Sequence, residues 1–295
     1  MKINNNIPTT KSVIFNENKM YCVDDFVTIE IGTNYNTTQL AVDGKVMDII
    51  KSLGEVDLEF KEKQLWIRQG KNLCKTSYID KYFNFEIPAA EGSIVVTKKD
   101  LELALKFCDI RGRQPILRGI NISSDGIAAS DSYKIFLKGT QAEINYTLDY
   151  DFVVQLVKMM NVATTLEFNE FKVWATIDDN TKIYGRLLGE KYPEVMRIFE
   201  GRMNNSLNLK PHEIEDAYKL ARFGDESYVD MEMREGKLFI KNELIDCEIK
   251  PIDREILPRF ALEIISLMFL FPEATIYDNG ELSPLSLREN DYRVM

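Results

Sequence analysis

The chain repeats its own pattern at a spacing of about one small domain. Leu58, Leu166 and Ile276 occupy matching strand positions that lie 108 and 110 residues apart. Before each position the spacing of apolar residues predicts an amphipathic helix, and each position falls in the first of two alternating strands. The three stretches begin at Ala41, Leu148 and Leu257. A period of this length is too long for a solenoid unit, so we expect repeated small domains.

The other half of the repeat is a strand followed by a helix. Ser93–Arg111 predicts a strand and then a helix capped by Thr97, and Leu207–Arg222 predicts the same with Pro211 in the first turn. The N-terminal repeat is too short to contain this strand and helix. We therefore predict an α+β fold of three repeated domains, the first lacking its opening strand and helix. The expected domains are residues 1–90, 91–205 and 206–295.

Composition narrows the class of protein. No apolar run approaches the roughly 20 residues of a membrane-spanning helix, and the N-terminus has no apolar secretion signal. The four cysteines are far apart and form no CxxC pair, so we expect a reduced, cytoplasmic protein without a disulfide framework or metal site. The net charge of −10 argues against a protein that coats DNA, yet it permits an acidic exterior with one local basic surface.

The sequence gives little evidence for a catalytic site. The single histidine, His212, is in a predicted first helical turn, and no P-loop, GxSxG or HExxH motif occurs. Asp24-Asp25 and Asp178-Asp179 could suggest a two-metal nuclease. However, the first pair aligns with Asp131-Ser132 in the repeat, and the second precedes an asparagine typical of hairpin turns. We favour turns over a metal site and predict no enzyme activity and no cofactor.

Three segments carry a resemblance to a known family. Gln114–Phe136 reads QPILRGINISSDGIAASDSYKIF, and Lys182–Phe199 reads KIYGRLLGEKYPEVMRIF. The chain ends in LSPLSLRENDYRVM. Together these segments resemble the RPILTGV, TDSHRLA and SRLIDGxFPDYxxVIP motifs and the last strand of the bacterial sliding clamp, the beta subunit of DNA polymerase III. The resemblance covers nearly the whole chain in the family's order of domains. Because the chain is shorter than a typical member, we expect a divergent version, such as one encoded by a phage or mobile element.

The resemblance implies a function. Clamps of this family encircle duplex DNA as a ring of six domains, with helices lining the channel and sheets outside. The subunits join head to tail, and polymerase and clamp loader attach through short peptide tails. We therefore expect a DNA sliding clamp that forms a homodimer and acts as a polymerase processivity factor. The alternative is a clamp-like protein that forms no ring and acts as an acidic inhibitor or decoy of replication factors.

Basic side chains on the predicted helices are the candidate DNA contacts. They lie off the apolar stripes of their helices, and Lys99 and Lys106, seven residues apart, are expected to share one helix face. A plain solvent-exposed helix surface remains the alternative interpretation. The candidate contacts are Lys45, Lys51, Lys99, Lys106, Arg111, Lys158, Lys219 and Arg222.

The resemblance also implies a groove for partner peptides between the middle and last domains. Tyr133 and Lys134 replace the family's usual His and Arg, and the chain stops before the usual Pro-Met-Arg-Leu-like end. The alternative is that the matching residues are ordinary core and strand-end residues. The positions carried over are Leu117, Ser130, Ser132, Tyr133, Lys134, Ile135, Glu200, Val294 and Met295.

Overall fold

The computed structural model describes most of the chain. The described residues are 5–80, 85, 89–111, 114–140, 142–195, 197, 206–224, 228–252, 259–270, 274–277, 282–284 and 292–294. The chain divides into two compact units, and each is described by itself. Unit 1 comprises Met1–Leu105 and Tyr146–Glu190, and unit 2 comprises Lys106–Asn145 and Lys191–Met295.

The elements alternate between short helices and antiparallel strands. In chain order they are β1 (Ser12–Val23), β2 (Val27–Asp43), α1 (Val46–Leu53), β3 (Asp57–Lys61), β4 (Gln64–Gln69), β5 (Asn72–Ser77), β6 (Ile79–Asp80), β7 (Gly92–Thr97), α2 (Lys98–Leu105), a 3-10 turn (Pro115–Arg118), β8 (Ile120–Ser123), β9 (Gly126–Ser130), β10 (Ile135–Lys138), β11 (Tyr146–Leu148), α3 (Tyr150–Met159), β12 (Ala163–Phe168), β13 (Lys172–Asp178), β14 (Thr181–Leu188), β15 (Ser206–Leu209), α4 (Pro211–Ala221), β16 (Tyr228–Arg234), β17 (Lys237–Lys241), β18 (Asp246–Pro251), β19 (Arg259–Ala261), α5 (Leu262–Met268), β20 (Ala274–Tyr277), β21 (Leu282–Pro284) and β22 (Tyr292–Val294).

Unit 1 places helices on one face of a sheet. Its strands run in the order β7-β12-β13-β14, with β2 also paired to β14 and β1 to β2, and a separate sheet runs β3-β4-β5. Helix α3 packs on this sheet so closely at Gly185 that a Cβ there would lie 2.4 Å from the ring of Phe152. Leu101 and Ala104 of α2 and Leu156 of α3 are fully buried. The opposite face of the sheet is therefore free of these helices.

The described strands of unit 2 also form two sheets. One runs β15-β20-β21-β22-β10-β9-β8, and the other runs β18-β17-β16-β19. Helix α4 buries Ile214, Ala217 and Ala221, the inward positions expected from the sequence. The strand pairing places β22, the last strand, directly beside β10.

The predicted repeat of elements is present. Helices α1, α3 and α5 are each followed by an antiparallel strand pair, β3–β4, β12–β13 and β20–β21. Leu58, Leu166 and Ile276 are in the first strand of each pair, and each is at most 7% exposed. The strand–helix order recurs as β7–α2 and β15–α4, and residues 5–11, ahead of β1, contain neither a strand nor a helix. The domain boundaries near residues 90 and 205 remain predictions.

One local expectation was wrong. Helix α2 ends at Leu105, so Lys106 falls in the turn after it and shares no helix face with Lys99. The next residues, Phe107 and Cys108, are buried, which bends the chain away from the helical path. The predicted cap at the other end is confirmed, since the N–H of Asp100 donates to Thr97 Oγ1 at 3.1 Å. Across the described chain, no helix has the length and apolarity needed to cross a membrane.

Candidate functional site

The turn between β9 and β10 carries the motif that resembles TDSHRLA. Asp131 Oδ1 accepts hydrogen bonds from the N–H groups of Tyr133 at 3.0 Å and Lys134 at 2.9 Å. Ser132 adopts a φ of 75°, and its N–H donates to Ser130 Oγ at 3.1 Å. These bonds fix the turn and leave the Tyr133 side chain 86% exposed. Such a rigid turn with a protruding aromatic ring is suited to protein contacts.

The aliphatic residues predicted for the groove are buried in unit 2. Leu117 is 3% exposed and Ile135 is 7% exposed, and Ser130 is also buried. Leu117 belongs to the 3-10 turn, and its carbonyl accepts a hydrogen bond from the N–H of Asp109 at 2.9 Å. These residues are buried beside the turn and offer little surface to a ligand.

An open cleft of about 340 Å³ lies in unit 2 and reaches this turn. Its lining residues are Lys106, Phe107 and Lys134, together with Ser266 and Leu267 of α5. The Lys134 Nζ is 3.7 Å from Asp131 Oδ2 and 5.6 Å from the centre of the Phe107 ring. The cleft therefore combines an apolar floor with two cationic side chains.

Sequence reasoning identified this cleft only in part. Lys134 was predicted for the groove, whereas Lys106 was predicted for DNA. Phe107, Ser266 and Leu267 were not predicted as site residues. Phe107 lies two residues after the end of α2, and Ser266 and Leu267 are on a helix whose sequence is apolar nearly all round. Val294 is in β22, opposite Phe136 of β10. Glu200 and Met295 lie outside the described residues.

Two buried ionisable groups near the turn are held neutral. Burial raises the pKa of the Cys108 thiol to about 12, and its Sγ donates weakly to the carbonyl of Gly119 at 3.8 Å. Burial also raises the pKa of the Tyr192 phenol well above its usual value. Both groups stay protonated at neutral pH, so they act as packing groups in unit 2.

The candidate DNA-contact residues of unit 1 are on its helices. Lys45 precedes α1, and Lys99 and Lys158 are on α2 and α3; all three are exposed. The buried side of α3 is formed by Phe152, Val153, Leu156, Val157 and Met159. Lys51 differs, because its side chain is only 17% exposed and lies 4.0 Å from Asp48. Unit 1 thus presents cations on helix sides that face away from its core.

The candidates of unit 2 have different surroundings. Lys219 forms an ion pair with Glu215 at 2.5 Å, one helical turn earlier. The guanidinium of Arg222 lies 5.7 Å from the centre of the Tyr218 ring. Arg111 is exposed and is the last residue of the described segment 89–111. Around the end of α4 the exposed apolar residues are Leu220 at 48%, Phe223 at 83% and Leu244 at 56%.

Both acidic pairs are in hairpin turns, as predicted. The N–H of Asp24 donates to the carbonyl of Val27 at 2.9 Å, between β1 and β2. The N–H of Asn180 donates to Asp178 Oδ1 at 2.9 Å, between β13 and β14. Within the described residues, no group of three or more His, Cys, Asp or Glu side chains is placed to hold a metal ion.

The fold is similar to that of known clamps. The chain superposes on DNA polymerase III subunit beta from Pseudomonas aeruginosa with a TM-score of 0.78 at 13% identity, over 97% of this chain and 92% of that one. The beta subunit from Thermotoga maritima gives 0.78 at 14% identity, over 99% and 92%. The beta chain from Streptococcus pneumoniae gives 0.76 at 15% identity, over 99% and 92%.

No family model and no curated protein matches the sequence. The structural likeness nevertheless confirms the resemblance seen in the motifs, because it extends over nearly the full length of both chains. The chain has the α+β fold of the DNA polymerase III beta sliding clamps, with antiparallel sheets and few helices.

Proposed function

We propose that this protein is a DNA sliding clamp, which encircles duplex DNA and tethers a polymerase and other replication proteins to it. The observation that carries the proposal is the clamp fold over 97% of the chain. It has no catalytic role of its own in this proposal, and it acts in the cytoplasm, where a polymerase meets DNA. Fold alone does not determine function, so the exposed surfaces of the two units supply the further arguments.

The helix cations of unit 1 support contact with DNA. Lys99 and Lys158 are exposed on the sides of their helices that face away from the core, and Lys45 is exposed just before α1. A few such contacts bind phosphates without reading sequence, and they loosen as salt rises. With a net charge of −10 for the whole chain, these contacts are weak, so retention on DNA depends on topology.

The cleft of unit 2 supports binding of a partner tail. Its volume of about 340 Å³ is sufficient for one or two apolar side chains of a peptide. Phe107 and Leu267 supply apolar surface, and the exposed ring of Tyr133 stands on the adjoining turn. Aromatic and aliphatic anchors in such a cleft carry most of the binding energy at protein interfaces.

Two exposed strand edges support a head-to-tail dimer. In the described sheets β5 is the outer strand of β3-β4-β5 in unit 1, and β18 is the outer strand of the second sheet of unit 2. Outer strands leave backbone N–H and C=O groups unpaired and can join another chain. The charged side chains of these strands are engaged within the chain: Lys75 on β5 lies over the Trp66 ring, and Asp246 and Glu248 on β18 pair with Arg234 and Lys237. The proposed contact therefore depends on the backbone groups of the two strands. Pairing β5 of one subunit with β18 of the next gives a heterologous contact that closes a ring of two subunits.

The decisive experiment compares circular and linear DNA. The protein is loaded by a clamp loader or by opening the ring on nicked circular plasmid, and the bound fraction is measured by gel filtration before and after linearisation. A clamp stays on the circle and is lost on linearisation, in high salt as well as low. Protein that remains monomeric by native mass spectrometry and equally unbound on both DNAs would instead support the inhibitor or decoy, which its acidity favours.

A further inference from the structure

The two tryptophans of the chain occupy equivalent positions in two repeats, both in unit 1. Trp66 of β4 lies opposite Glu59 of β3, and Trp174 of β13, 108 residues further on, lies opposite Glu167 of β12. Trp174 is 4% exposed, and its Nε1 donates to Glu167 Oε2 at 2.8 Å. Trp66 is less buried, and its Nε1 has no hydrogen-bond partner among the described residues. The second repeat therefore satisfies its indole N–H, whereas the first leaves it without an acceptor.

Cations explain why the carboxylate opposite Trp66 does not accept from it. The oxygens of Glu59 accept instead from Lys61 Nζ at 3.1 Å and from Arg68 Nη2 at 3.5 Å. The cross-strand partner of Trp66 on β5 is Lys75. The ammonium groups of Lys61 and Lys75 each lie 3.8 Å from the centre of the Trp66 ring, and the guanidinium carbon of Arg68 lies 5.1 Å from it. The indole is therefore surrounded by groups that donate hydrogen bonds.

These side chains stand on the face of the β3-β4-β5 sheet that is turned away from the core. Side chains alternate along a strand, and the neighbours of Trp66 on β4, Leu65 and Ile67, are fully buried on the other face. Trp66 and its cations therefore project from a face of the sheet and not from its edge. The backbone groups of β5 that we propose for the subunit contact are separate from them.

Cations outnumber carboxylates on this face. The three cations around Trp66 share the face with two carboxylates, Asp57 and Glu59, and Lys75 pairs with neither of them. Over residues 57–77 as a whole, five Lys or Arg residues stand against three Asp or Glu, although the complete chain has a net charge of −10. The sheet thus carries a local excess of positive charge that its own carboxylates do not balance.

An unpaired strand of nucleic acid fits these groups. The indole N–H and the ammonium groups are all donors, so their missing partner is an acceptor such as a phosphate oxygen. Lys63 and Lys71 are exposed in the hairpins at the two ends of β4, so cations follow this strand over roughly 20 Å, enough for several phosphates. Proteins that hold single strands combine such a cationic path with an aromatic ring on which a base stacks. A duplex, whose bases stack on one another, would leave the ring unused.

We propose that the outer face of this sheet in unit 1, formed by Lys61, Trp66, Arg68 and Lys75, is a binding site for single-stranded nucleic acid. A phosphate accepts hydrogen bonds from Lys75 and from the indole N–H, and a base stacks on the ring once a lysine over it turns to a phosphate. The site is distinct from the helix cations of unit 1, which we propose for the duplex. It does not depend on closure of a ring.

The test is fluorescence anisotropy of the full chain with a labelled oligothymidylate of about 12 nucleotides. Lys75→Glu should weaken binding about tenfold or more, and Trp66→Phe, which keeps a ring but removes the N–H, about fivefold. Lys191→Glu makes the same charge change at an exposed lysine of unit 2 that pairs with Glu194, and it should leave the affinity unchanged. Trp174→Phe is the matched control for Trp66→Phe and should also leave it unchanged, because that ring is buried.

Three results would overturn the single-strand site. They are unchanged binding in Lys75→Glu, loss of binding in Lys158→Glu alone, and equal affinity for an oligoglutamate peptide of the same charge, which would assign the face to an acidic protein segment. Circular dichroism establishes that each variant is folded, and Lys75→Gln replaces Lys75→Glu if the reversed charge unfolds the chain. Failure at this site alone leaves the proposed clamp function standing, because retention on circular DNA reports on it separately.

Discussion

The helices of unit 1 and helix α4 of unit 2 bury similar stripes but present different surfaces. In α3, Lys158 is exposed opposite a stripe of five buried residues. In α4, Lys219 is ion-paired to Glu215, and the helix leads into the exposed ring of Phe223. The same repeat thus supplies a cationic surface in one unit and a neutralised, partly apolar surface in the other.

This difference separates two tasks that one helix could not perform equally well. Exposed cations attract phosphates at a distance and tolerate sliding, whereas exposed apolar groups need a fitted partner. We therefore propose that the helix cations of unit 1 contact DNA. We propose that the end of α4, with Leu220, Phe223 and Leu244, adds apolar surface to the subunit contact at β18, against which α4 packs.

Phe223→Asp should have the largest effect. The ring is 83% exposed in the single chain, and a charge in its place could not be desolvated at an interface. We expect the dissociation constant of the dimer to rise by about a hundredfold or more, measured by native mass spectrometry across a concentration series. Lys219→Ala, on α4 one turn before Phe223, is the control and should leave the dimer intact. A dimer unaffected by Phe223→Asp would contradict the proposal that the end of α4 takes part in the subunit contact.

Lys106→Glu should have the next largest effect, on partner binding. This side chain lines the cleft of unit 2 with Phe107 and Lys134. We expect about a tenfold loss of affinity for the C-terminal tail of the cognate polymerase, measured by fluorescence anisotropy. DNA retention should be unchanged, since the residue lies outside α2. Loss of DNA retention with normal tail binding would restore the DNA role that the sequence suggested for Lys106.

Lys158→Ala should weaken DNA contact modestly. Removal of one phosphate contact should lower the slope of log binding constant against log salt by about one, with little change in sequence preference. The measurement is anisotropy on a short labelled duplex at several salt concentrations. Lys219→Ala, whose ammonium is already paired with Glu215, should change this slope less. Equal slopes for the two variants would contradict the division between the units.

Glu213→Gln should have the smallest effect, and only on the stability of unit 2. Burial pushes the pKa of Glu213 up, but the N–H of Lys210 at 2.6 Å and the ammonium of Lys250 at 3.1 Å outweigh it and lower the pKa below its usual value. The stabilisation is therefore present above the unfolded-state pKa and is lost as pH falls through the lower folded-state pKa.

At pH 7 we expect the variant to melt about 2 °C lower than the unaltered chain, a difference that should vanish once the pH is below the folded-state pKa of Glu213. Scanning calorimetry at several pH values checks this expectation. Lys158→Gln, at an exposed lysine of unit 1, serves as a control that should show no such pH dependence. A constant difference at all pH values would mean that packing, rather than the carboxylate, stabilises the start of α4.

Local features were predictable from the sequence alone. The cap at Thr97, the turns at Asp131 and Asp178 and the buried strand positions of Leu58 and Leu166 follow from neighbours a few residues away. The ion pair that neutralises Lys219 was also predictable from the sequence, because Glu215 lies four residues earlier on the same helix. The charge count of a helix therefore indicates DNA contact only after its internal ion pairs are subtracted.

The sequence by itself determined the repeat, the α+β class and the resemblance to clamps, because periodicity, caps and turns are properties of short segments. Only the tertiary structure decided that Lys106 leaves the helix and joins Phe107, Lys134 and Leu267 around one cleft. It also decided that Lys61 and Lys75 meet at the Trp66 ring. Apart from the neighbours Lys106 and Phe107, these residues are separated in the chain, and their meeting depends on strand register and helix packing, which local propensity does not specify.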